Sequence, residues 1–227
     1  MSDAAAITTL DSLLSTRKSV RGYTSEQIPA ETLTAIFEMS QKSPSNCNTQ
    51  PWLTYVASGE KCRTLSDDIC ELAKTGSGME PAFGYFQTPE NPYRKRQVDC
   101  AVALYGNMGI ARDDKMGRMM AMLRNYEFFD APHVAFIGMP KGFGVINALD
   151  VGIYMQTLML AMTAHGVSSC AQGALAYYPG PVREAFGFGD EVSLVAGISF
   201  GYEDKSVPAN KTRTDREDLA VSASFIS

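Results

Sequence analysis

Ile7, Leu10, Leu13 and Leu14 recur at three- and four-residue intervals and predict a first helix ending near Ser15 or Thr16. Pro29 precedes a second helical pattern, in which Leu33, Ile36, Phe37 and Ser40 share a face and Glu31 sits near the positive N-terminal end. From Trp52 to Ala57 the chain turns aromatic and β-branched, as a pleated strand prefers. Leu65, Ile69 and Leu72 then space out a third helix. Residues 76–96 carry Gly, Pro and aromatics without a period. They predict an ordered excursion with a functional reason, because long structureless loops are uncommon in compact domains. Helical spacing returns from Val98 to Tyr126, with a break at Gly106 to Gly109.

Val134 to Gly138 reads as a short buried strand. Asp150 is placed to cap a helix that begins at Val151, apolar on nearly every side until Gly166 stops it. A helix without a polar face must be covered all round, by its own domain or by a partner subunit. Its apolar run, interrupted by Gln156 and Thr157, falls short of the roughly 20 residues a membrane span needs. Val167 to Ala176 is small and mostly uncharged, Pro181 opens a short helix to Phe186, and Val192 to Phe200 is the strongest strand pattern. Strands separated by long helical stretches without a regular βαβ rhythm predict an α+β domain. At 227 residues one domain, 1–227, is the simplest count.

Composition and charge remove several function classes. A hydrophobic fraction of 45% and a charged fraction of 20% are those of an ordinary globular protein. The net charge of −5 argues against nucleic acid as a main partner. Five cysteines (Cys47, Cys62, Cys70, Cys100, Cys170) without a CxxC pair fit reduced thiols better than a disulfide framework. His133 and His165 stand far from each other and from any cysteine pair, so a protein-ligated metal is not expected. The first residues lack the basic start and apolar run of a signal peptide, and a cytoplasmic protein with no membrane partner is the expectation.

Three stretches carry candidate chemistry. Arg17, Ser19 and Arg21 form R-x-S-x-R directly after the first helix, where two guanidiniums and a hydroxyl can converge on a phosphate. Basic residues near a helix C-terminus also favour its dipole, so this pattern has two readings. Ser43 to Trp52 packs two prolines, several amide and hydroxyl side chains and the only Trp into one turn, which can face something planar and polar. Cys170, Ala171, Gln172, Gly173 and Ala174 form a strand-like run of small residues that lets a flat ring approach the backbone; tight core packing explains it equally. The tail adds Lys205, Lys211, Arg213 and Arg216. Phosphate-binding glycine loops are missing from the sequence, and no Ser/His/Asp or Cys/His arrangement stands out.

Taken in order, these segments resemble the FMN-dependent nitroreductase family over nearly the whole chain. Arg17 to Arg21 matches its N-terminal R-x-S-x-R, and Pro44 to Trp52 matches P-S-x-x-N-x-Q-P-W. Cys170 to Gly173 matches the segment beside the flavin edge, and Gly201-Tyr202 with Pro208 to Arg213 matches the C-terminal phosphate segment. The resemblance implies a nitroreductase-like α+β fold: a central, mostly antiparallel sheet flanked by helices, in an intertwined homodimer with FMN sites built by both subunits. It implies that Arg17, Lys18, Ser19, Arg21, Lys211 and Arg213 serve the FMN phosphate or pyrimidine edge. Pro44, Ser45, Asn46 and Asn48 would contact the ring system from the partner subunit. Cys170, Ala171, Gln172 and Gly173 would line it, with the backbone N–H of Gln172 or Gly173 at flavin N5 in the catalytic position.

The implied reaction is ping-pong: NADPH or NADH gives a hydride to FMN, and a small aromatic electron acceptor, nitroaromatic or quinone-like, takes the electrons. A reductive dehalogenase, a general flavin or quinone reductase, and a non-catalytic flavin sensor or storage protein share the same motifs. Residues 76–130 are the expected cover over the flavin, and 202–227 a C-terminal arm. Within the cover, Met116, Met119, Met120 and Met122 are expected to pack into the core, the alternative being a surface adapted to apolar ligands. Arg94, Lys95, Arg96, Arg112, Lys115 and Arg118 form a solvated face or steer an anionic ligand.

Overall fold

The computed structural model describes residues 4–83 and 90–226. Residues 84–89, part of the expected excursion, lie outside them. Four strands, β1 (Leu53–Ser58), β2 (His133–Pro140), β3 (Ser168–Gln172) and β4 (Val192–Gly201), form one sheet in the order β1-β2-β4-β3, every pair antiparallel. Helices flank it: α1 (Ala4–Thr16), α2 (Ala30–Ser40), α3 (Gly59–Thr75), α4 (Tyr93–Asn107), α5 (Lys115–Leu123), α6 (Val145–Ala164), α7 (Pro179–Phe186) and the single turn α8 (Leu219–Ser222). The α+β expectation holds, and the break at Gly106 to Gly109 is where α4 ends and Gly109 turns left-handed.

Strand periodicity assigns the core to two layers. On β2, Val134 and Phe136 face the layer beneath α3 and α7, while Ala135, Ile137 and Met139 face the layer beneath α2 and α6. The pairing register of β2 and β4 shifts between Ile137 and Gly138. One extra residue on β4 reverses its alternation, so Val192 and Leu194 face the first layer and Ile198 and Phe200 the second. At the bulge a Cβ on Gly138 would come within 2.8 Å of Val192, so the close approach requires glycine.

The long apolar helix differs from expectation at its start. α6 begins at Val145, six residues before Val151, so Asp150 lies inside the helix and buried, and caps nothing. The full helix is therefore long and apolar enough, by length and composition alone, to cross a membrane. Val151, Tyr154, Leu158 and Met162 instead pack its inner face on the sheet. Its outer face stays open: Val145 is 80% exposed and Leu149 61%, with Ile146 and Ile153 beside them.

His133 ties three elements together at the first residue of β2. Its Nε2 accepts the Ile28 backbone N–H at 3.0 Å, its Nδ1 lies 2.7 Å from Ser58 Oγ, and its ring stacks on Phe200. An Nε2 that accepts must be bare, so Nδ1 carries the proton and donates to Ser58. Burial lowers its pKa below the usual histidine value. The folded state then binds this proton less readily than the unfolded chain. The stability from His133 is fully present above about pH 6.5 and is lost as pH falls from there toward the lowered folded value. Denaturant midpoints at about pH 5 and pH 7.5 should therefore differ more for the native chain than for His133→Gln. Equal differences would remove His133 as the titrating group.

Candidate functional site

The R-x-S-x-R segment leaves α1 and runs beside β3. Ser19 bridges Ser169 in parallel, and the Val20 N–H donates to the Ser169 carbonyl at 3.1 Å. The C-terminal tail is clipped onto the same segment by Asn210, which is 3% exposed. Asn210 Oδ1 accepts the Arg21 backbone N–H at 2.6 Å, and its Nδ2 donates to the Gly22 and Asp204 carbonyls, both at 2.8 Å. Gly22 permits this approach, since a Cβ there would stand 2.6 Å from Val207. Asn210 lies within the Pro208 to Arg213 segment marked by the resemblance, but its clip role is not legible in the sequence, because the partners of its side chain stand as far as 189 residues away.

The clip decides which cations are free. Lys18 Nζ pairs with Glu203 at 2.6 Å and donates to the Asn210 carbonyl at 2.8 Å, so Lys18 belongs to the clip. Arg17, Arg21 and Arg213 have no carboxylate within ion-pair distance among the described residues. Arg21 Nη1 reaches only the Ser19 carbonyl, and Arg213 Nη1 only the Ser15 carbonyl at the end of α1, each at 3.3 Å. Lys211 is exposed one residue beyond Asn210. The structure thus gathers guanidiniums and a hydroxyl at one end of β3, with no ion-paired carboxylate among the described residues. Beneath them lies Cys170: burial pushes its thiol pKa up, against Arg21, Ser19 and Arg17, which pull it down.

β3 is an edge strand, and its hydrogen bonds alternate sides. Since Ser169 faces the Arg17–Arg21 segment, alternation turns Ala171 outward and Gln172 toward β4, where it pairs with Gly197. The strand ends at Gln172 and a 3-10 turn begins at Gly173, so the strand-like reading of 173–174 is corrected. The Gln172 side chain is buried: its Nε2 donates to the Asn125 carbonyl at 2.8 Å, and its Oε1 accepts the Ser199 hydroxyl. That side chain braces the strand, and the groups offered outward belong to Ala171 and Gly173, both exposed.

Ser43 to Trp52 forms a tight turn that closes on itself through local hydrogen bonds. Ser45 Oγ accepts the Gln50 N–H at 2.9 Å, and Cys47, Asn48 and Gln50 all have positive φ. Pro44, Asn46 and Asn48 point to the surface. Trp52 stacks on Tyr154 of α6 at 4.9 Å, and Asp150 accepts the Asn46 N–H.

Within one chain the two halves stand apart. The turn enters β1, and β2 and β4 separate that strand from β3, about 14 Å away at the usual strand spacing. α6 gives a second ruler: from Asp150, under the turn, to Ala164, four residues before β3, it rises about 21 Å.

The excursion supplies a wall to the Arg21 side. A cavity of about 250 Å³ opens between Arg21, α4, α5 and the tail, with Tyr105, Met108, Met122 and Phe129 among its lining residues. Met116, Met119, Met120 and Met122 are all exposed, which corrects the expectation that they pack into the core. Arg96 is held by Glu217 at 2.7 Å, Lys95 by Asp99 and Arg94 by Gln97, so this half of the basic set is internally held, whereas Arg112, Lys115 and Arg118 have no ion pair among the described residues. A larger groove, about 790 Å³, lies between α3 and α7 and contains none of the candidate residues.

Comparison with known proteins adds four findings. The profile of the Nitroreductase family matches residues 14–202. The chain is 37% identical over 222 residues to nitroreductase NfnB of Mycolicibacterium smegmatis, covering 94% of this chain and 91% of that protein. It is 33% identical over 225 residues to a 4-nitrobenzoate reductase of Nocardioides sp., covering 97% and 91%. The crystal structure of the FMN-dependent nitroreductase NfnB from Mycobacterium smegmatis in complex with NADPH superposes with a TM-score of 0.93 at 34% identity, covering 98% and 100% of the two chains.

Proposed function

The chain belongs to the Nitroreductase family, and from that membership we infer that it is an FMN-dependent oxidoreductase that draws on NADPH or NADH to reduce nitroaromatic acceptors. The observation that carries this reading is the set of guanidiniums of Arg17, Arg21 and Arg213, left without carboxylates beside an edge of small residues. Cations brought together without counter-ions repel one another, and an anion bound among them removes that cost. The donor set suits a phosphate monoester, which takes bidentate arginine and a hydroxyl. The outward side at Gly173 is open too, since a Cβ there would meet nothing within 4 Å.

FMN, when bound, supplies the two-electron relay between the nicotinamide and the nitro group. Arg17, Ser19 and Arg213, with Lys211, hold its phosphate, and Arg21 places positive charge toward the pyrimidine edge. Ala171 and Gly173 would offer outward backbone to its ring system, with Gln172 holding that backbone rigid through Asn125 and Ser199. Cys170 packs beneath as a buried thiol. Pro44, Ser45, Asn46 and Asn48 would form the opposite wall, and α4 and α5 would cover the acceptor.

Because one chain keeps the wall and the phosphate cluster on opposite sides of the sheet, the wall comes from a second copy in a homodimer. The open outer face of α6, with Ile7, Leu10 and Leu14 of α1, supplies apolar surface for that contact, and Phe225 and Ile226 of the tail are exposed as well. The cysteines, free among the described residues, suit a reducing compartment, and the cytoplasm is the assignment.

The purified protein should carry or take up FMN, lose its flavin absorbance on anaerobic addition of NADPH or NADH, and regain it with a nitroaromatic. A chain that takes up no added FMN overturns the reading. Bound FMN that neither nucleotide bleaches would make the protein a flavin sensor.

A further inference from the structure

We propose that Asp150 is the positioning residue of the flavin wall, locking the 43–52 turn in the shape that presents Asn46 and Asn48. The inference rests on the FMN reading above. Asp150 is 4% exposed, and its Oδ1 accepts the Asn46 backbone N–H at 3.0 Å. Its Oδ2 is also buried and has no hydrogen-bond partner among the described residues. A buried carboxylate used on one oxygen only is costly for the fold, and such violations of local rules mark functional positions.

What Asp150 holds is a turn that strains against its own sequence. Cys47, Asn48 and Gln50 sit at φ of 49°, 57° and 46°, in the left-handed region that residues with a Cβ avoid. The bonds from Asn48 N–H to the Ser45 carbonyl and from Gln50 N–H to Ser45 Oγ close the turn on itself but fasten it to nothing else. The end of α2 holds both ends of the turn, with Ser43 Oγ donating to the Ser40 carbonyl and Trp52 Nε1 to Gln41 Oε1, and two residues of α6, one turn apart on the same face, fasten it as well. Asp150 holds Asn46, and Tyr154 stacks on Trp52 and accepts the Thr54 hydroxyl at 3.1 Å. Tyr154 grips the turn where it becomes strand, whereas at Asn46 to Asn48 Asp150 is, among the described residues, the one hydrogen-bond partner from outside the turn. The wall is therefore set by the helix whose open outer face meets the second copy in the dimer reading.

The test uses FMN titration by flavin fluorescence, the visible circular dichroism of bound FMN, and the labelling rate of Cys47 in the FMN-free protein. Cys47 is the one exposed cysteine among the described residues, so its labelling reports the turn without any flavin. Asp150→Ala should weaken FMN by about tenfold or more, the loss expected for one hydrogen bond to a charged group, alter the flavin dichroism, and speed Cys47 labelling. Asp150→Asn keeps an acceptor, now a neutral one, for the Asn46 N–H and should lose clearly less affinity than the alanine variant. Should the alanine variant fail to fold, Asp150→Ser, too short to reach Asn46, takes its place. Native FMN affinity and dichroism in the alanine or serine variant overturn the proposal, as do equal losses for the alanine and asparagine variants. Unchanged Cys47 labelling in the alanine or serine variant overturns it also. If the native protein binds no FMN, the parent reading fails, and the Cys47 rates still decide whether Asp150 holds the turn.

Discussion

Removing the guanidiniums of Arg17 and Arg213 together should weaken FMN binding by a hundredfold or more and leave the FMN-free protein at least as stable as before. Each hydrogen bond to a charged group is worth about 1.5–3 kcal/mol, so two lost contacts give about 3–6 kcal/mol, on the order of a hundredfold to ten-thousandfold in Kd. The fold loses little because neither side chain has a carboxylate within ion-pair distance among the described residues, and Arg213 gives up only a 3.3 Å bond to the Ser15 carbonyl. Lys18→Ala in the same segment is the internal contrast. It breaks the pair with Glu203 and the bond to the Asn210 carbonyl, so it should lower the thermal midpoint first and FMN affinity only as the clip loosens. Riboflavin, which lacks the phosphate, separates the contributions further: the double arginine variant should bind it as the native chain does. An FMN affinity that survives the double change would detach the phosphate from this cluster, and an equal loss of riboflavin would mean that the change had damaged the ring site instead.

Much of this arrangement is legible in the sequence because it depends on local periodicity. Strand and helix order follow from Trp52 to Ala57, Val134 to Gly138 and Val192 to Phe200, and the R-x-S-x-R pattern falls where α1 releases the chain. What the sequence hides is pairing over long separations. Lys18 reads as one more phosphate ligand until Glu203, distant in the chain, arrives to neutralise it. Gln172 reads as a ring contact until Asn125 and Ser199 consume its side chain. Asp150 has the right chemistry for a cap, and the pattern from Val151 onward invites that reading. The helix starts earlier because Gly144 provides the extended residue from which it can begin, and Asp150 is left to face Asn46. The methionines of α5 mislead for a different reason. Composition calls them core, but the short helix buries only Leu123 and leaves their face open.

Two variants that are each inactive should regain activity when mixed. If a phosphate cluster from one copy and a wall from the other build each site, Arg17→Ala with Arg213→Ala destroys both sites of its own dimer. Asn46→Ala with Asn48→Ala does the same from the wall side. In a mixed dimer one site collects both defects and the other collects none, because a two-fold interface pairs each cluster with the opposite wall. Random exchange makes half of the dimers mixed, so about a quarter of all sites are restored, and turnover of a nitroaromatic should rise from near zero to about a quarter of the native rate. The strand order sets this expectation: β2 and β4 lie between the strand that the wall enters and the edge that carries Ala171. If the wall instead served its own cluster, each site of a mixed dimer would hold a single defect and no activity would return. Co-expression, or refolding of mixed subunits, must allow exchange, and mass spectrometry of the mixture gives the mixed fraction directly. Restored activity proportional to that fraction establishes the shared site, whereas a mixed dimer without turnover would place wall and phosphate cluster in the same subunit's site.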